Sequence, residues 1–286
     1  MAFTFTRRYA GPVQAVIFDM AGTVMDFGSR APAGVFVEVF ARNGVEVTIP
    51  EARGPMGAEK RTHIAELMAL PTVRARWTER YGNPPGEEDI DRLYAEFIPM
   101  QVACLSRYAE LVPGMIDIAD ELRRRRIQIA ANSGYNREML DVCLGMAERQ
   151  GLKFASTVAA SDVPRARPLP AMCLVNAAQL AVDAVAACVK VDDTVPGIEE
   201  GLAAGMWTVG VTVSGNEVGL SLDEWKALDP VAQAKARARA TDRLARAGAH
   251  MVVDSVADIM PCIAEFERRL APCGGRAVVQ RMGERP

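Results

Sequence analysis

From about residue 113 to residue 270 the sequence switches repeatedly between two periodicities, and no other feature restricts the fold as much. IQIAANSG (127–134), STVAASD (156–162), AACVKVDDT (186–194), MWTVGVTV (206–213) and HMVVDS (250–255) are short apolar runs ending in small or polar residues, as buried strands do. PGMIDIADELRRRR (113–126), REMLDVCLGMAERQG (137–151), PAMCLVNAAQLAV (170–182), GIEEGLAAG (197–205), LDPVAQAKARARATDRLARAG (228–248) and VADIMPCIAEFERRL (256–270) carry apolar residues at helical spacing. Strands and helices alternating in this way form a parallel sheet with helices on both faces. VQAVIFD (13–19), bounded by Gly-Pro before it and AGT after it, reads as a further strand at the start.

Between this first strand and the second the character changes. APAGVFVEVFARNGV, AEKRTHIAELMAL and EEDIDRLYAEFIPMQVACLSRYAEL, all within about residues 32–107, have helical periodicity and almost no strand signal. The expected fold class is therefore α/β. A Rossmann-like parallel-sheet core is built from residues 13–27 and 108–270, and an all-helical cap, residues 28–107, is inserted between strands 1 and 2. Residues 1–12 and 271–286 are expected to be flexible termini.

The balance of charge narrows the partners. Lys plus Arg number 33 and Asp plus Glu 36, a net of −3, which gives no reason to expect nucleic acid or an anionic membrane surface. The basic runs Arg123–Arg126 and Lys235–Arg246 alternate with Ala or Leu and read as solvated helix faces. Cys104, Cys143, Cys173, Cys188, Cys262 and Cys273 are scattered without CxxC spacing, and His63 and His250 are the only histidines, so a zinc site is not expected. Reduced thiols, no apolar leader in MAFTFTRRYAGP and no run near the ~18 apolar residues of a membrane span point to a cytoplasmic protein.

Parallel sheets place their sites at the carboxyl ends of the strands. Asp19, Ser133 and the pair Asp192–Asp193 stand there and are the first candidates. Each has an ordinary structural reading as a turn or capping residue, and Arg167 alone reads as a surface residue. FDMAGT, AANSG, RARP ahead of a helix and VKVDDT, in this order on an alternating chain, are far more specific together. The set resembles the haloacid dehalogenase superfamily, whose nucleophile is the Asp of DxxGT. Within it, FDMAGTVMDFGSRAP, PMGAEKRTHI, SGYNREML, VPRARPLPAM, DDTVPGIEEG and AGMWTVGV are similar to the phosphonatase family, the phosphonoacetaldehyde hydrolases. The similarity runs from about residue 13 to residue 260, and the pairing of Ala21 with Lys60 is its most specific part.

The resemblance implies a Mg²⁺-dependent hydrolysis of a carbon–phosphorus bond, giving acetaldehyde and phosphate. It implies Asp19 as nucleophile, Lys60 as the amine that forms a Schiff base, and a metal held by Asp19, Asp193 and the backbone carbonyl of Ala21. Ser133, Gly134 and Arg167 would bind the phosphonate, and His63, Met56, Tyr135 and Ser29 would support the site. His63 lies three residues after Lys60 on one helical face, a place from which it could relay protons or simply be a hydrogen-bonded helix histidine. The resemblance also implies a homodimer, for which the apolar face of VFVEVFARNGV could serve, although such faces more often pack within their own chain.

Ala21 has a chemical rationale. In phosphatases of the superfamily a second Asp at this place protonates a leaving alkoxide. In the reaction that the resemblance implies, the leaving group is carbon, and an imine on Lys60 would take up its electrons. Gly197 departs from the superfamily pattern, which often has a further Asp there; Asp192 could compensate. Asp26 has no chemical role that follows from the sequence and reads as a turn or hinge cap. Two other readings stand beside the first. One is a phosphate-ester hydrolase or sugar phosphomutase, which Ala21 opposes. The other is a non-catalytic binding relative, opposed by the joint presence of Asp19, Ser133, Arg167 and Asp193.

Overall fold

The first strand, β1 (Ala15–Phe18), is wholly buried, which its all-apolar AVIF run requires. The structure, a computed structural model, describes residues 9–271. After β1 come helices α1 (Arg30–Arg42), α2 (Ile49–Arg53), α3 (Lys60–Ala69), α4 (Pro71–Tyr81) and α5 (Glu87–Leu105), with no strand among them. The chain then alternates through α6 (Met115–Arg124), β2 (Gln128–Ser133), α7 (Arg137–Arg149), β3 (Ser156–Ala159), α8 (Ala171–Gln179), β4 (Cys188–Asp192), α9 (Val195–Ala203) and β5 (Trp207–Val211). It ends with α10 (Leu222–Ala227), α11 (Pro230–Arg246), β6 (Met251–Val253) and α12 (Met260–Leu270).

The six described strands pair in parallel throughout, in the order β3-β2-β1-β4-β5-β6. The order reverses beside β1, so a crevice opens above the carboxyl ends of β1, β2 and β4. Those ends carry Asp19, Ser133 and Asp192–Asp193.

Several boundaries differ from the sequence reading for local reasons. β3 stops at Ala159, because the carboxylate of Asp162 takes the Ala159 N–H and the chain turns. α9 starts at Val195, two residues early, with the Thr194 hydroxyl accepting from Gly197 N–H. α11 starts at Pro230 rather than at residue 228, capped by Asp229. The segment 256–270 divides into a turn at Val256–Asp258 and α12. α10 was not anticipated, although its capping box, Ser221 with Glu224, is legible in SLDE.

The apolar face of α1 is used inside the chain. Val35, Phe36, Val39 and Phe40 are buried, and Phe36 stacks on Phe97 of α5 at 4.4 Å. That face is therefore not open to a second copy. Cys104, Cys143, Cys173, Cys188 and Cys262 are free and buried, as reduced thiols should be; Cys273 and most of the expected flexible termini lie outside the described residues. No described helix is long and apolar enough to cross a membrane.

Candidate active site

Asp19 follows β1 directly, and its N–H continues the ladder to Val191 O at 2.9 Å. The chain then turns sharply through Gly22, whose φ of +87° favours glycine. A Cβ at Gly22 would also lie 2.3 Å from Asp193 Oδ2, so the turn can press against that carboxylate only without a side chain. Beyond the turn, Asp26 receives the N–H groups of Arg30 and Ala31 on its two oxygens, at 3.0 and 2.9 Å. It caps α1 and takes no part in the pocket.

Arg167 lies fully buried on the loop before α8 and is the hub of the charged cluster. Its Nη2 is 2.8 Å from Asp19 Oδ1 and 3.2 Å from Asp192 Oδ2, and donates to Asn132 Oδ1 at 2.7 Å. Its Nε donates to Glu200 Oε2 at 2.9 Å. Lys190 of β4 lies 3.1 Å from Asp192 Oδ2 and 3.8 Å from Glu200 Oε2, and donates to Asn132 Oδ1. Lys190, Asn132 and Glu200 were missed by sequence reasoning. The signal for Lys190 was a lysine between Val189 and Val191 in a strand buried throughout. Glu200 on α9 carried none. It fixes the guanidinium that reaches Asp19, so Glu200→Gln is expected to lower kcat/KM about tenfold to a hundredfold, the usual range for loss of a residue that orients a contacting group. Steady-state kinetics on the folded variant, checked by circular dichroism, would measure it.

The carboxylates of Asp19, Asp192 and Asp193 offer oxygens within 4.8 Å of one another, all buried. They are not equivalent. Burial alone would raise Asp192, but Arg167 and Lys190 hold it below the ordinary range, and its Oδ1 also accepts from the Thr194 N–H and hydroxyl. Asp193 is pushed well up, by burial first and then by Asp19 and Asp192; its hydrogen bonds come from Asn216 N–H at 2.8 Å and the Thr23 hydroxyl at 3.1 Å. Asp19 is also raised, by burial and Asp192 against the pull of Arg167 and Lys190. Crowded buried carboxylates with hard oxygen donors fit a small divalent cation. The space for an acid at residue 197 is absent: a Cβ on Gly197 would lie 2.0 Å from the Asp192 carboxylate.

Opposite this cluster stands Lys60, the first residue of α3, only 4% exposed. Its ammonium faces the ring of Tyr135 at 5.2 Å and that of Phe36 at 5.7 Å. Its pKa is lowered to about 8, by burial first and with help from Arg167, against the opposing pull of Asp19, Glu59 and Asp193. The segment before it packs tightly on the core. A Cβ at Gly57 would meet Thr194 Oγ1 at 2.2 Å, and one at Gly134 would meet Ala58 O at 2.6 Å. One pocket is lined by Asp19, Ala21, Ser29, Met56, Gly57, Lys60, Ser133, Gly134, Tyr135, Arg167 and Thr194. Its volume is about 20 Å³, room for little more than water. A cleft of about 590 Å³, lined by Glu59, Tyr94, Asn136 and Arg165 among others, adjoins it at Arg167.

A sequence profile of the haloacid dehalogenase-like hydrolases matches residues 13–205. The phosphonoacetaldehyde hydrolase of Hahella chejuensis (strain KCTC 2396) is 52% identical over 271 residues, 95% of this chain and 92% of that protein. The chain belongs to the phosphonoacetaldehyde hydrolase family. The phosphonoacetaldehyde hydrolase of Paraburkholderia phytofirmans (strain DSM 17436 / LMG 22146 / PsJN) is 49% identical over 259 residues, 91% of this chain and 97% of its own. The crystal structure of a phosphonoacetaldehyde hydrolase-like protein from Oleispira antarctica superposes with a TM-score of 0.91 at 47% identity, covering 95% of this chain and 98% of that one.

Among the residues that the sequence associates with this family, His63 stands apart from the pocket wall. It is fully buried, stacks on Phe36 at 3.8 Å, and its Nε2–H donates to Ala52 O at 2.8 Å. Burial, and then Lys60, keep the imidazole neutral, and Nδ1 has no protein partner among the described residues. Tyr135 presents its ring to Lys60, and its hydroxyl accepts from Gln101 Nε2 at 3.3 Å. The Ser133 hydroxyl accepts from Tyr135 N–H at 3.2 Å. Arg61 is turned away and pairs with Glu87 and Asp91 on α5.

Proposed function

We propose that this hydrolase cleaves the carbon–phosphorus bond of phosphonoacetaldehyde to give acetaldehyde and phosphate. The observation that carries the reading is Lys60, desolvated to about 8 and sharing one small pocket with Asp19 and Ala21. A phosphate ester leaves as an alkoxide and needs an acid; a carbon leaving group needs an electron sink. Ala21 removes the acid, and Lys60 supplies the sink.

The neutral Lys60 amine adds to the aldehyde carbon, one proton is taken up from solvent and water leaves, forming a protonated imine. Asp19 attacks phosphorus, and the electron pair of the breaking C–P bond moves into the C=C bond of an enamine as the imine nitrogen becomes neutral. The enamine takes a proton on carbon and the imine is hydrolysed, freeing acetaldehyde and Lys60. A water cleaves the aspartyl phosphate at phosphorus, releasing phosphate and restoring Asp19.

Arg167 and the Ser133–Gly134 turn bind the phosphonate oxygens, with Arg167 aimed by Glu200. Asp19, Asp193 and the Ala21 carbonyl would hold Mg²⁺, which when bound neutralises charge between the nucleophile and the dianionic substrate. Asp192 is committed to Arg167, Lys190 and Thr194 and serves that cluster. His63, neutral with a bare Nδ1, supports proton transfer at Lys60, and Met56, Tyr135 and Ser29 shape the pocket. Residues 28–107 act as a cap domain that lifts to admit substrate, because the closed pocket is too small for it. A cytoplasmic location and a homodimer complete the reading, the dimer needing a surface other than the buried face of α1.

The test compares substrates in the presence of Mg²⁺: rapid phosphate release from phosphonoacetaldehyde with slow release from simple phosphate esters is expected. Comparable rates on both would favour an ester hydrolase instead. The pH dependence follows from Lys60. Only the free amine attacks, and the folded protein lowers its pKa from 10.5 to about 8, so the active fraction grows as pH rises toward 8 and levels above it. The acidic limb of imine formation should therefore have its midpoint near 8; a midpoint near that of an exposed lysine would contradict a desolvated nucleophile.

A further inference from the structure

Arg53 closes α2, and its guanidinium ties together three parts of the chain that are distant in sequence. Nη1 donates to Gly28 O at 3.0 Å and to Ser29 O at 3.4 Å, where the chain leaves the core for the helical insertion. It also donates to Asn216 Oδ1 at 3.0 Å, and Nη2 donates to Gly219 O at 3.0 Å, both in the loop after β5. Asn216 is only 5% exposed, and its Nδ2 donates back to Arg53 O at 3.4 Å. The same Asn216 gives its backbone N–H to Asp193 Oδ2 at 2.8 Å. Gly219, at φ +71°, presses on the guanidinium, where a Cβ would come within 2.7 Å.

One residue thus grips the inserted helices by its side chain and the acidic cluster by its backbone. Lys60 follows Arg53 by seven residues, through the segment that packs on Gly134 and Thr194. A planar fork that satisfies several carbonyl oxygens at once fixes orientation as well as distance. We infer that Arg53, clipped to Asn216, is a positioning residue that seats the Lys60-bearing helices over the carboxylates of Asp19 and Asp193. The clip acts on the fraction of molecules that are closed. Neither residue lines the pocket, so their effect on turnover passes through the groups they hold, the Lys60-bearing segment foremost, with Ser29 and Asp193.

The proposal rests on the assigned reaction only for its kinetic arm. Hydrogen exchange of Arg53→Met, Arg53→Lys and Asn216→Ala, without substrate, is the independent arm. Asn216→Ala keeps the backbone N–H to Asp193 and removes both side-chain partners of Arg53, the Oδ1 acceptor and the Nδ2 donor. Amides of residues 28–31 and 54–60 are expected to exchange at least about tenfold faster, with the strands β1, β2 and β4 unchanged. KM for phosphonoacetaldehyde should rise about tenfold in Asn216→Ala with kcat within about threefold, since apparent affinity scales with the competent fraction. Arg53→Lys should recover part of the loss, because it keeps the charge and loses the fork. If Arg53→Met does not fold, Asn216→Ala carries the test. Unchanged exchange in both segments would overturn the proposal. So would faster exchange throughout the sheet with KM unaltered, which would assign the pair to fold stability. Failure of the wild type to turn over phosphonoacetaldehyde would instead strike the assigned reaction and leave the exchange result standing.

Discussion

Lys60→Arg is expected to lower kcat for phosphonoacetaldehyde by about 10⁴-fold or more, the scale on which loss of a covalent participant is felt. Arginine keeps a positive charge in the pocket and cannot supply a free amine. If the ammonium served only to neutralise the phosphonate, arginine would be a fair substitute and the loss would be small. The other buried lysine, Lys190, cannot stand in: its amine is pinned by Asp192, Glu200 and Asn132. Steady-state kinetics with the purified variant, with its thermal unfolding compared to wild type, separates lost chemistry from lost fold.

Asp19→Asn is expected to abolish phosphate release by a similar factor while leaving the lysine competent. The amide has nearly the carboxylate's shape and cannot act as a nucleophile. Arg167 would lose the negative charge at its 2.8 Å contact with residue 19 and keep Asp192, Glu200 and Asn132, so the cluster should hold. The imine would then form and stop. In this variant borohydride reduction should fix the intact phosphonoethyl group on Lys60, with phosphorus still attached to carbon. A dephosphorylated adduct there would mean that the C–P bond breaks without Asp19.

What the sequence made legible follows the range of the interactions. Strand–helix alternation is local, and the parallel core sheet could be read from it; the strand order, with β1 between β2 and β4, came only from the structure. Asp19, Ser133 and Asp192–Asp193 were legible because the fold class itself says where strands end. Lys60 was not legible from local pattern, since a lysine opening a helix ordinarily points to water; only its place in PMGAEK suggested otherwise. What sets Asp192 apart from Asp193 depends in part on residues far along the chain: Arg167 for the first, Thr23 and Asn216 for the second. Thr23 and Asn216 hold Asp193, whereas Arg167, Lys190 and Thr194 occupy Asp192. Glu200 and Arg53 were invisible for the same reason. Both look like ordinary charged helix residues, and their partners are brought to them only by the folded sheet. Asp26 needed no chemistry: its hydrogen bonds to Arg30 and Ala31 account for it.

In the proposed reaction an imine takes the electrons of the broken bond, a reading supported by Ala21 and by the burial of Lys60. The most direct measurement is borohydride reduction of the wild-type enzyme during turnover of phosphonoacetaldehyde with Mg²⁺, followed by peptide mass spectrometry. Inactivation with a single ethyl group on Lys60 is the predicted result, the mark of an enamine left after the C–P bond has broken. Full turnover that borohydride does not arrest, or an adduct on another lysine, would contradict the account.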